Sequence, residues 1–333
     1  NLFSIVLFSS GYPNEKRTIE KRFKNYVLNE NDLWLIKPKT GSLGDGIYIF
    51  QNLTSTPDVY LISKYISNPH LIHKLKYDFR VYVFITGLAP LKLYLYREGM
   101  VRFATEEYTL DKDHITELYR HLTNVAVNEK NTEEYKKAVD ADSDEGSKWS
   151  LQVYENYCKE NNIDYKHIRQ QMADIAIKSI LSVLNQFYDR IKEYGTMDRN
   201  HFKLFGFDYL LDDNLKVHLL EINDRPSLLM GDINDRKLKP QLVADCLNIV
   251  GITPYSHDYK DDFATWENKY FEQFGEEGPD TLEDIINSSI CELGRPRGRF
   301  DLIFPLKDNI NYYKKFFTRE YKENILFWRH LTE

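Results

Sequence analysis

Two strand-like runs separated by a short polar turn constrain the fold of this chain more than any other feature. Leu204–Leu211 and Leu215–Asn223 carry apolar residues on both alternating faces, a pattern typical of strands that are buried on both sides. The polar residues 212–214 separate the two runs and predict a hairpin. The chain is therefore expected to contain a sheet that is covered on both faces.

The same hairpin carries polar side chains within its apolar strands. If residues 213–214 form a two-residue turn, Asp208 pairs with Leu219. Asp208, Glu221 and Asn223 then share one face, because alternate residues of a strand point to the same side. Asp208 and Glu221 are expected to be diagonal neighbours, roughly 7–8 Å apart. A register shifted by one residue would turn Asp208 to the opposite face.

Carboxylates inside such strands are costly unless they are paired or bound to a metal ion. Asp208, Glu221 and Asn223 offer oxygen ligands, which suit Mg²⁺. The alternative is that the two carboxylates pair with nearby Lys or Arg side chains. The spacing leaves both interpretations open.

Further periodic segments indicate a mixed fold without strict alternation of strands and helices, and predict an α+β or split α/β class. A polar loop is expected over residues 129–150, and a hairpin turn over Arg97–Met100. One long helix is predicted from the apolar stripe between Ile168 and Ile191, with Gly195 as its stop, and a second helix from Leu238 to Val250 before Gly251. The remaining predicted strands are Leu33–Ile36, Ile47–Phe50, Val59–Ile66, Phe79–Thr86 and Leu91–Tyr96.

Composition excludes several classes of protein. A formal charge of −7 disfavours a chain coated with positive charge for nucleic acid, although it leaves room for a local basic cleft. Three scattered cysteines argue against a disulfide framework or a structural zinc site and fit a reducing compartment. No stretch reaches the length needed to span a bilayer. The sequence does not begin with Met, which is consistent with a fragment of a longer chain.

Cations accumulate on consecutive predicted strands near a glycine-containing loop. Lys76, Asp78 and Arg80 alternate with apolar residues and are expected to share one face. The loop of residues 37–47 can turn backbone amides toward a phosphate, although a simple tight turn explains it equally well by itself. Together with the carboxylate pair, these features predict a nucleoside triphosphate site. The other cations of this group are Lys64, Lys74, Arg97 and Arg102.

An ordered set of motifs extends from about residue 33 to residue 252. The motifs are Trp34–Pro38 with its glycine loop, Lys64–Ile66 with Asn68-Pro69, Lys76–Val83, Leu95–Gly99, His121–Asn124, Gly146–Ser150, Gly206–Asp208 and Leu220–Asn223. In their order and spacing they resemble the tubulin tyrosine ligase-like family of ATP-grasp ligases.

The resemblance implies an α+β ATP-grasp fold in which the nucleotide is held between two β-sheet lobes. It further implies a mostly helical C-terminal extension. The domains are expected to be an incomplete N-terminal lobe over residues 1–30, a central subdomain over 31–75, a C-terminal ATP-grasp subdomain over 76–252 and the extension over 253–333.

The resemblance also implies roles for individual residues. Arg80, Arg97 and Glu221 are expected to be catalytic, and Asp208, Glu221 and Asn223 to hold Mg²⁺. The predicted substrate-binding residues are Arg80, Arg97, Thr123, Lys148 and Arg225. The predicted ATP-binding residues are Lys37, Gly41, Ser42, Gly44, Gly46, Lys64, Tyr65, Ile66, Lys76, Asp78 and Asn124.

The activity implied is an ATP- and Mg²⁺-dependent ligation that adds glutamate to glutamate side chains of tubulin C-terminal tails through an acyl phosphate. Residues 145–151 resemble the polyglutamylase branch. Addition of glycine or tyrosine, another ATP-grasp ligation and a non-catalytic microtubule-associated module are the alternatives. The expected partners are tubulin tails or microtubules and free L-glutamate, with no nucleic acid or membrane. The expected location is the cytoplasm and cytoskeleton, with cilia or flagella included.

Overall fold

Two antiparallel sheets organise the chain. The computed structural model describes residues 6–8, 33–38, 46–51, 60–193, 201–252 and 281–333. Within these residues the smaller sheet has four strands and the larger sheet has seven, with helices on both faces of the larger one. The predicted α+β class is confirmed.

The smaller sheet consists of β1 (Val6–Phe8), β2 (Leu33–Pro38), β3 (Tyr48–Gln51) and β4 (Tyr60–Lys64), in the order β1-β4-β2-β3. In β2, Trp34 and Ile36 are buried while the residues beside them are partly exposed, as expected for a sheet with one covered face. β1 pairs with β4, so residues 6–8 belong to the same sheet as the central subdomain.

The larger sheet is built on two long strands, β6 (Leu75–Leu88) and β7 (Leu91–Glu107), flanked by β9 (Phe202–Leu211) and β10 (Val217–Asn223). Its order is β10-β9-β6-β7-β11, with β11 spanning Phe300–Phe304. Two short strands attach at the sides, β5 (Leu71–Ile72) to β6 and β8 (Lys148–Ser150) to β7.

The prediction of a hairpin turn at Arg97–Met100 is wrong, because β7 continues through this segment. Tyr96 pairs with Phe300, and Gly99 pairs with Val81, so neighbouring strands hold the segment extended on both sides. Gly99, which suggested a turn, is needed at this position for a steric reason. A Cβ atom at Gly99 would lie 2.4 Å from the Arg80 carbonyl oxygen. The hairpin turn between β6 and β7 lies instead at residues 88–91.

Helices cover both faces of the larger sheet. The predicted long helix is confirmed as α4 (Tyr165–Glu193), which buries Ile168, Met172 and neighbouring apolar residues against the odd-numbered side chains of β6. The second predicted helix is confirmed as α5 (Ile233–Val250) on the opposite face. It begins at an Asp232 cap and ends at Gly251, whose φ is +80°. Gly195 lies outside the described residues.

The other helices are α1 (Leu118–His121), α2 (Val125–Asn128), α3 (Leu151–Glu160), α6 (Leu282–Leu293), α7 (Ile310–Tyr313) and α8 (Lys322–Thr332). No helix within the described residues combines the length and apolar character that crossing a bilayer requires. The described part of the C-terminal extension is largely helical, and it also contributes β11 to the larger sheet.

Asp245 joins the C-terminal extension to α5. Its side chain is 1% exposed and accepts hydrogen bonds from the Tyr96 hydroxyl at 2.9 Å and the Arg299 backbone amide at 3.0 Å. Gly298, just before β11, has a φ of +53°, and a Cβ atom there would lie 2.0 Å from Asp245 Oδ1. The start of β11 is therefore fitted closely to this carboxylate.

We expect Gly298→Ala to lower the free energy of unfolding by about 1–3 kcal/mol, because alanine would be strained at this φ and would displace Asp245. Gly294→Ala is the matched control, since φ there is −81° and the nearest contact of a Cβ atom is 3.4 Å. Its effect should stay below about 1 kcal/mol. Urea denaturation measures both, and equal midpoints for the two variants would contradict the docking of β11.

Candidate functional site

A cavity lies between the two sheets, with the segment containing α1 and α2 along one side. The smaller sheet contributes residues of β2 and β4, and the larger sheet contributes β6, β7, β9 and β10. Of the predicted site residues, Lys37, Lys64, Tyr65, Ile66, Lys76, Asp78, Thr123, Asn124, Asp208 and Glu221 line this cavity. The geometry therefore brings together residues from distant parts of the sequence.

The alternation predicted for β6 places the charged residues at this cavity. Lys76, Asp78 and Arg80 lie on the face of the sheet that carries Tyr82 and Phe84 further along, where α5 covers it. The odd-numbered residues of β6 face α4 in the opposite core. The same face of β6 is therefore apolar where α5 covers it and charged where it borders the cavity.

Asp208 occupies the centre of the charged cluster. It is 3% exposed and receives a bidentate contact from the Arg80 guanidinium, with Arg80 Nη2 2.9 Å from Asp208 Oδ2. Arg102 Nη2 lies 3.0 Å from the same oxygen. Burial alone would raise the pKa of Asp208, but the two arginines outweigh this effect and hold its pKa at about 2. Asp208 is therefore ionised throughout the physiological range.

Arg102 bridges two buried carboxylates. Its Nε donates to Asp78 Oδ1 at 2.7 Å and its Nη2 to Asp78 Oδ2 at 2.5 Å, in addition to its contact with Asp208. The motif resemblance assigns no role to Arg102, whose cross-strand pairing with Asp78 depends on where the turn between β6 and β7 lies. A turn set at residues 88–91 would have brought the two residues nearly opposite each other.

Arg97, predicted to be catalytic and substrate-binding, is not brought to the cavity. It lies five residues before Arg102 on β7, roughly 17 Å along a strand that rises about 3.4 Å per residue. Its side chain is 58% exposed, and its Nε donates to Asp301 Oδ1 at 2.8 Å. The arginine that completes the cluster with Arg80 is Arg102.

The register of the β9–β10 hairpin differs from the predicted register at two points. The turn contains one residue more than predicted, because Leu211 rather than Leu210 pairs with Val217. A bulge between Leu219 and Glu221 adds a second shift. Two shifts of one residue restore the original faces. Asp208 therefore lies directly opposite Glu221, where the sequence predicted a diagonal pair.

Asn223 joins this pair from the end of β10. Its Nδ2 lies 3.1 Å from Glu221 Oε1 and 3.5 Å from Asp208 Oδ2. Glu221 is 42% exposed and has a loose ion pair with Lys37, at 3.8 Å. The three side chains converge as predicted, and rotation of the Asn223 amide by 180° would present its oxygen to them.

This donor set fits a magnesium ion. Glu221 is exposed enough to bind an ion that keeps part of its water shell, and the Asn223 amide can supply a second oxygen. Asp208 already accepts from two arginines, but a carboxylate offers about four acceptor positions, so it can contribute as well. No cluster of three or more His, Cys, Asp and Glu ligands occurs among the described residues, so Asn223 is needed to complete the set.

A second polar network also lines the cavity. Lys76 Nζ donates to the Tyr65 hydroxyl at 2.9 Å, and this hydroxyl lies 3.0 Å from His121 Nδ1. Burial and the nearby Lys76 lower the pKa of His121 to about 4, so its ring is neutral and can accept from Tyr65. His121 is part of the recognised His121–Asn124 motif, but no local pattern indicates its contact with Tyr65.

Thr123 and Asn124 enter the cavity between α1 and α2. The buried Asn128 side chain holds their backbone, since its Nδ2 donates to the carbonyl oxygens of Leu122 at 2.9 Å and Asn124 at 3.0 Å. Asn128 Oδ1 accepts in turn from Thr105 on β7. This anchoring residue was missed, because nothing in the local pattern indicates its long-range contact.

Two of the predicted substrate-binding residues lie away from the cavity. Lys148 is 6% exposed and pairs with Asp232 at 2.5 Å and Asp235 at 3.1 Å, so its charge is used to fix the start of α5. Arg225 is 89% exposed and lies 3.6 Å from Asp224. Neither residue is among those lining the cavity, whereas the sequence placed both at the substrate.

The glycine loop is only partly described. Gly41, Ser42 and Gly44 lie outside the described residues. Gly46 has a φ of +74° and packs against the Pro38 ring, and it is not among the residues that line the cavity. Its conformation favours glycine for backbone reasons.

Comparisons with known proteins agree with the motifs. The model of the tubulin-tyrosine ligase family matches residues 3–259. The chain is 33% identical over 251 residues to mouse tubulin monoglutamylase TTLL4, covering 75% of this chain and 21% of that protein. It is 36% identical over 232 residues to mouse tubulin polyglutamylase TTLL5, covering 69% of this chain and 17% of the relative.

A third relative is the human probable tubulin polyglutamylase TTLL2, which is 36% identical over 255 residues. The match covers 75% of this chain and 41% of that protein. The chain therefore spans less than half the length of each of these three relatives.

Removal of Arg102 should destabilise the protein far more than removal of Arg97. Arg102→Met leaves two buried carboxylates without a shared partner, and we expect a loss of about 3–5 kcal/mol in the free energy of unfolding. Arg97→Met breaks one exposed ion pair and should cost less than about 1 kcal/mol. Chemical denaturation of both variants provides the comparison. A larger loss from Arg97→Met would contradict the placement of the two arginines.

Proposed function

The chain belongs to the tubulin-tyrosine ligase family, and from this premise we propose that it is an ATP- and Mg²⁺-dependent amino-acid ligase. Its reaction adds glutamate to glutamate side chains in the acidic C-terminal tails of tubulin. The matched relatives named as tubulin monoglutamylase and polyglutamylase support glutamate and tubulin as the substrates. The resemblance of residues 145–151 to the polyglutamylase branch supports the same choice.

The observation that carries this proposal is the charged cluster around Asp208. A ligase of this kind must bring together two anions, a polyphosphate and a carboxylate, and must neutralise the charge that moves between them. The cavity offers Lys37, Lys76 and Arg102 for the anions, and Arg80 lies next to it in contact with Asp208. It also offers oxygen ligands at Asp208, Glu221 and Asn223 for a metal ion.

The nucleotide is proposed to lie between the two sheets. The adenine would lie beside Lys64–Ile66, at the end of β4, with Ile66, Leu210 and Leu219 as apolar neighbours. Lys37 and Lys76 would contact the phosphates as point charges. Thr123 and Asn124 would donate or accept hydrogen bonds on the α1–α2 side. Gly41, Ser42 and Gly44 remain predicted phosphate contacts.

ATP makes the ligation possible by activating the acceptor carboxylate. Transfer of the terminal phosphoryl group gives ADP and an acyl phosphate on the acceptor. The amino group of the incoming amino acid then attacks the acyl carbon, the carbon–oxygen bond to phosphate breaks, and the amide, inorganic phosphate and a proton are released. No enzyme nucleophile takes part.

Arg80 and Arg102 have the geometry for stabilising the transferring charge. Asp208 fixes the orientation of both guanidinium groups, so they need not reorient when charge develops on the transferring group. The planar guanidinium can bind a carboxylate or phosphate at two points. Mg²⁺ held by Glu221, Asn223 and Asp208 would supply further positive charge for the phosphate oxygens.

The identity of the added amino acid depends on residues outside the charged cluster. The exposed guanidinium of Arg225 is proposed to meet the carboxylate of the incoming amino acid. Glycine and tyrosine are the alternative amino acids. The proposed place of action is the microtubule cytoskeleton, including that of cilia or flagella.

Glu221→Gln should reduce ATP-dependent incorporation of labelled glutamate into tubulin by at least about 100-fold, because it removes a charged metal ligand at the reacting phosphates. Glu160→Gln is the matched control on the exposed end of α3 and should leave incorporation unchanged.

Glutamate, glycine and tyrosine should be supplied in parallel, with mass spectrometry of the tubulin tails as the readout. Equal incorporation by wild type and Glu221→Gln would refute the assigned metal role. No incorporation of any of the three amino acids by wild type would favour a non-catalytic module.

A further inference from the structure

Lys76 is a buried lysine in the cavity that has no carboxylate as its direct partner. Its side chain is 7% exposed, and its amine donates a hydrogen bond to the neutral Tyr65 hydroxyl, 2.9 Å away. No carboxylate within the described ranges lies at salt-bridge distance from its amine. Buried ammonium groups are normally paired, because the loss of hydration is otherwise uncompensated.

The carboxylates nearest to Lys76 are occupied by other cations. Asp78, two residues along the same strand, is held at both oxygens by Arg102. Asp208 is engaged by Arg80 and Arg102, and Glu221 pairs with Lys37. These three carboxylates are therefore paired with other cations, and none of them is paired with Lys76.

The groups facing Lys76 come from every element around it. Tyr65 follows β4 and places its ring centroid 4.4 Å from the amine, while the Tyr108 ring centroid, beyond β7, lies at 6.0 Å. His121 of α1 is neutral and accepts from Tyr65. Lys37 of β2 repels the ammonium, and Asp78 of β6 attracts it. Burial is the dominant effect and lowers the pKa of Lys76 to about 7.

We infer that Lys76, buried beside Tyr65 without a carboxylate partner, is held largely uncharged by this burial in the free protein, and takes up a proton from solvent when a nucleotide polyphosphate enters the cavity. This inference rests on the proposed function, since it requires the nucleotide to bind in this cavity. Tyr65 contacts the amine directly, and His121 is a positioning residue that acts through the Tyr65 hydroxyl.

The physical reason is the missing anion. A bound polyphosphate would place negative charge beside Lys76, where the described part of the protein provides no carboxylate partner. An adjacent anion favours the charged form of an amine. Proton uptake then becomes part of binding. Above pH 7 a proton must be taken from solvent for each nucleotide bound, so affinity should weaken as pH rises.

Calorimetric titration with ATP and Mg²⁺ at pH 8, without tubulin or amino acid, tests this inference in buffers of different ionisation enthalpy. Wild type should take up between about 0.5 and 1 proton per nucleotide, since the free amine is mostly neutral at this pH. The phosphates are already ionised at pH 8 and can only release protons. The dissociation constant should rise up to tenfold per pH unit above pH 7.5.

Lys76→Arg should bind ATP with no proton uptake and a flatter pH dependence, because guanidinium is always charged. Lys74→Arg is the matched control. Lys74 is exposed, pairs with Glu107 at 3.2 Å and lies outside the cavity, so this variant should behave like wild type.

Tyr65→Phe removes the direct acceptor of Lys76 and should shift the midpoint of proton uptake downward, by up to about one pH unit. His121→Phe should shift it in the same direction. The double variant should shift no further than Tyr65→Phe alone, because His121 acts through Tyr65.

Binding of ATP by wild type without proton uptake would overturn the inference and leave the proposed function intact. Unchanged uptake by Lys76→Arg would also overturn it. Proton uptake on titration with L-glutamate but not with ATP would overturn the inference, because the anion that protonates Lys76 would then be the amino acid and not the nucleotide. A complete absence of ATP binding would instead refute the proposed function on which the inference rests.

Discussion

The ionised Asp208 carboxylate, held between Arg80 and Arg102, is the interaction on which the rest of the site depends. These residues come from three neighbouring strands of the larger sheet, β9, β6 and β7. A carboxylate with 3% exposure cannot remain charged without such partners, and the arginines cannot remain buried without the carboxylate. The cluster fixes the Arg102 guanidinium at the cavity and the Arg80 guanidinium next to it, in the same sheet as the strand that carries Glu221.

The sheet provides the rigidity that this cluster needs. The apolar residues on the opposite face of β6 pack against α4, while α5 covers the same face as the cluster further along the strand. Lys148 is part of this framework, since its ion pairs with Asp232 and Asp235 attach the start of α5 to β8. β8 pairs with β7 at Arg102 itself, so a residue expected at the substrate instead supports a residue of the site.

Local patterns were sufficient to predict what depends on alternation and helical periodicity. The charged face of β6, the two long helices and the convergence of Asp208, Glu221 and Asn223 all follow from side-chain periods within single elements. The hairpin register was wrong by two residues in total, and the predicted faces were retained because the turn and the bulge each shifted the register by one residue. A β-bulge has no reliable local signal, since Leu220 resembles any other apolar strand residue.

Features that depend on distant partners could not be predicted from local patterns. Arg97–Met100 resembles a turn until its pairing with β11, about 200 residues later, is known. The resemblance of the Leu95–Gly99 motif assigned roles to Arg97, whereas the fold brings Arg102 to the cluster. The contact between His121 and Tyr65 and the role of Asn128 likewise join segments whose proximity only the fold establishes.

An experimental structure of the protein with Mg²⁺ and ADP bound would test the proposed site most directly. We expect the diphosphate to lie between the two sheets, beside Lys76 and the Arg80–Asp208–Arg102 cluster. We expect the metal ion on Glu221 and Asn223, with Arg97 remote from the ligand. A nucleotide bound elsewhere on the protein, or one whose phosphates contact Arg97 instead of Arg102, would contradict the proposed site.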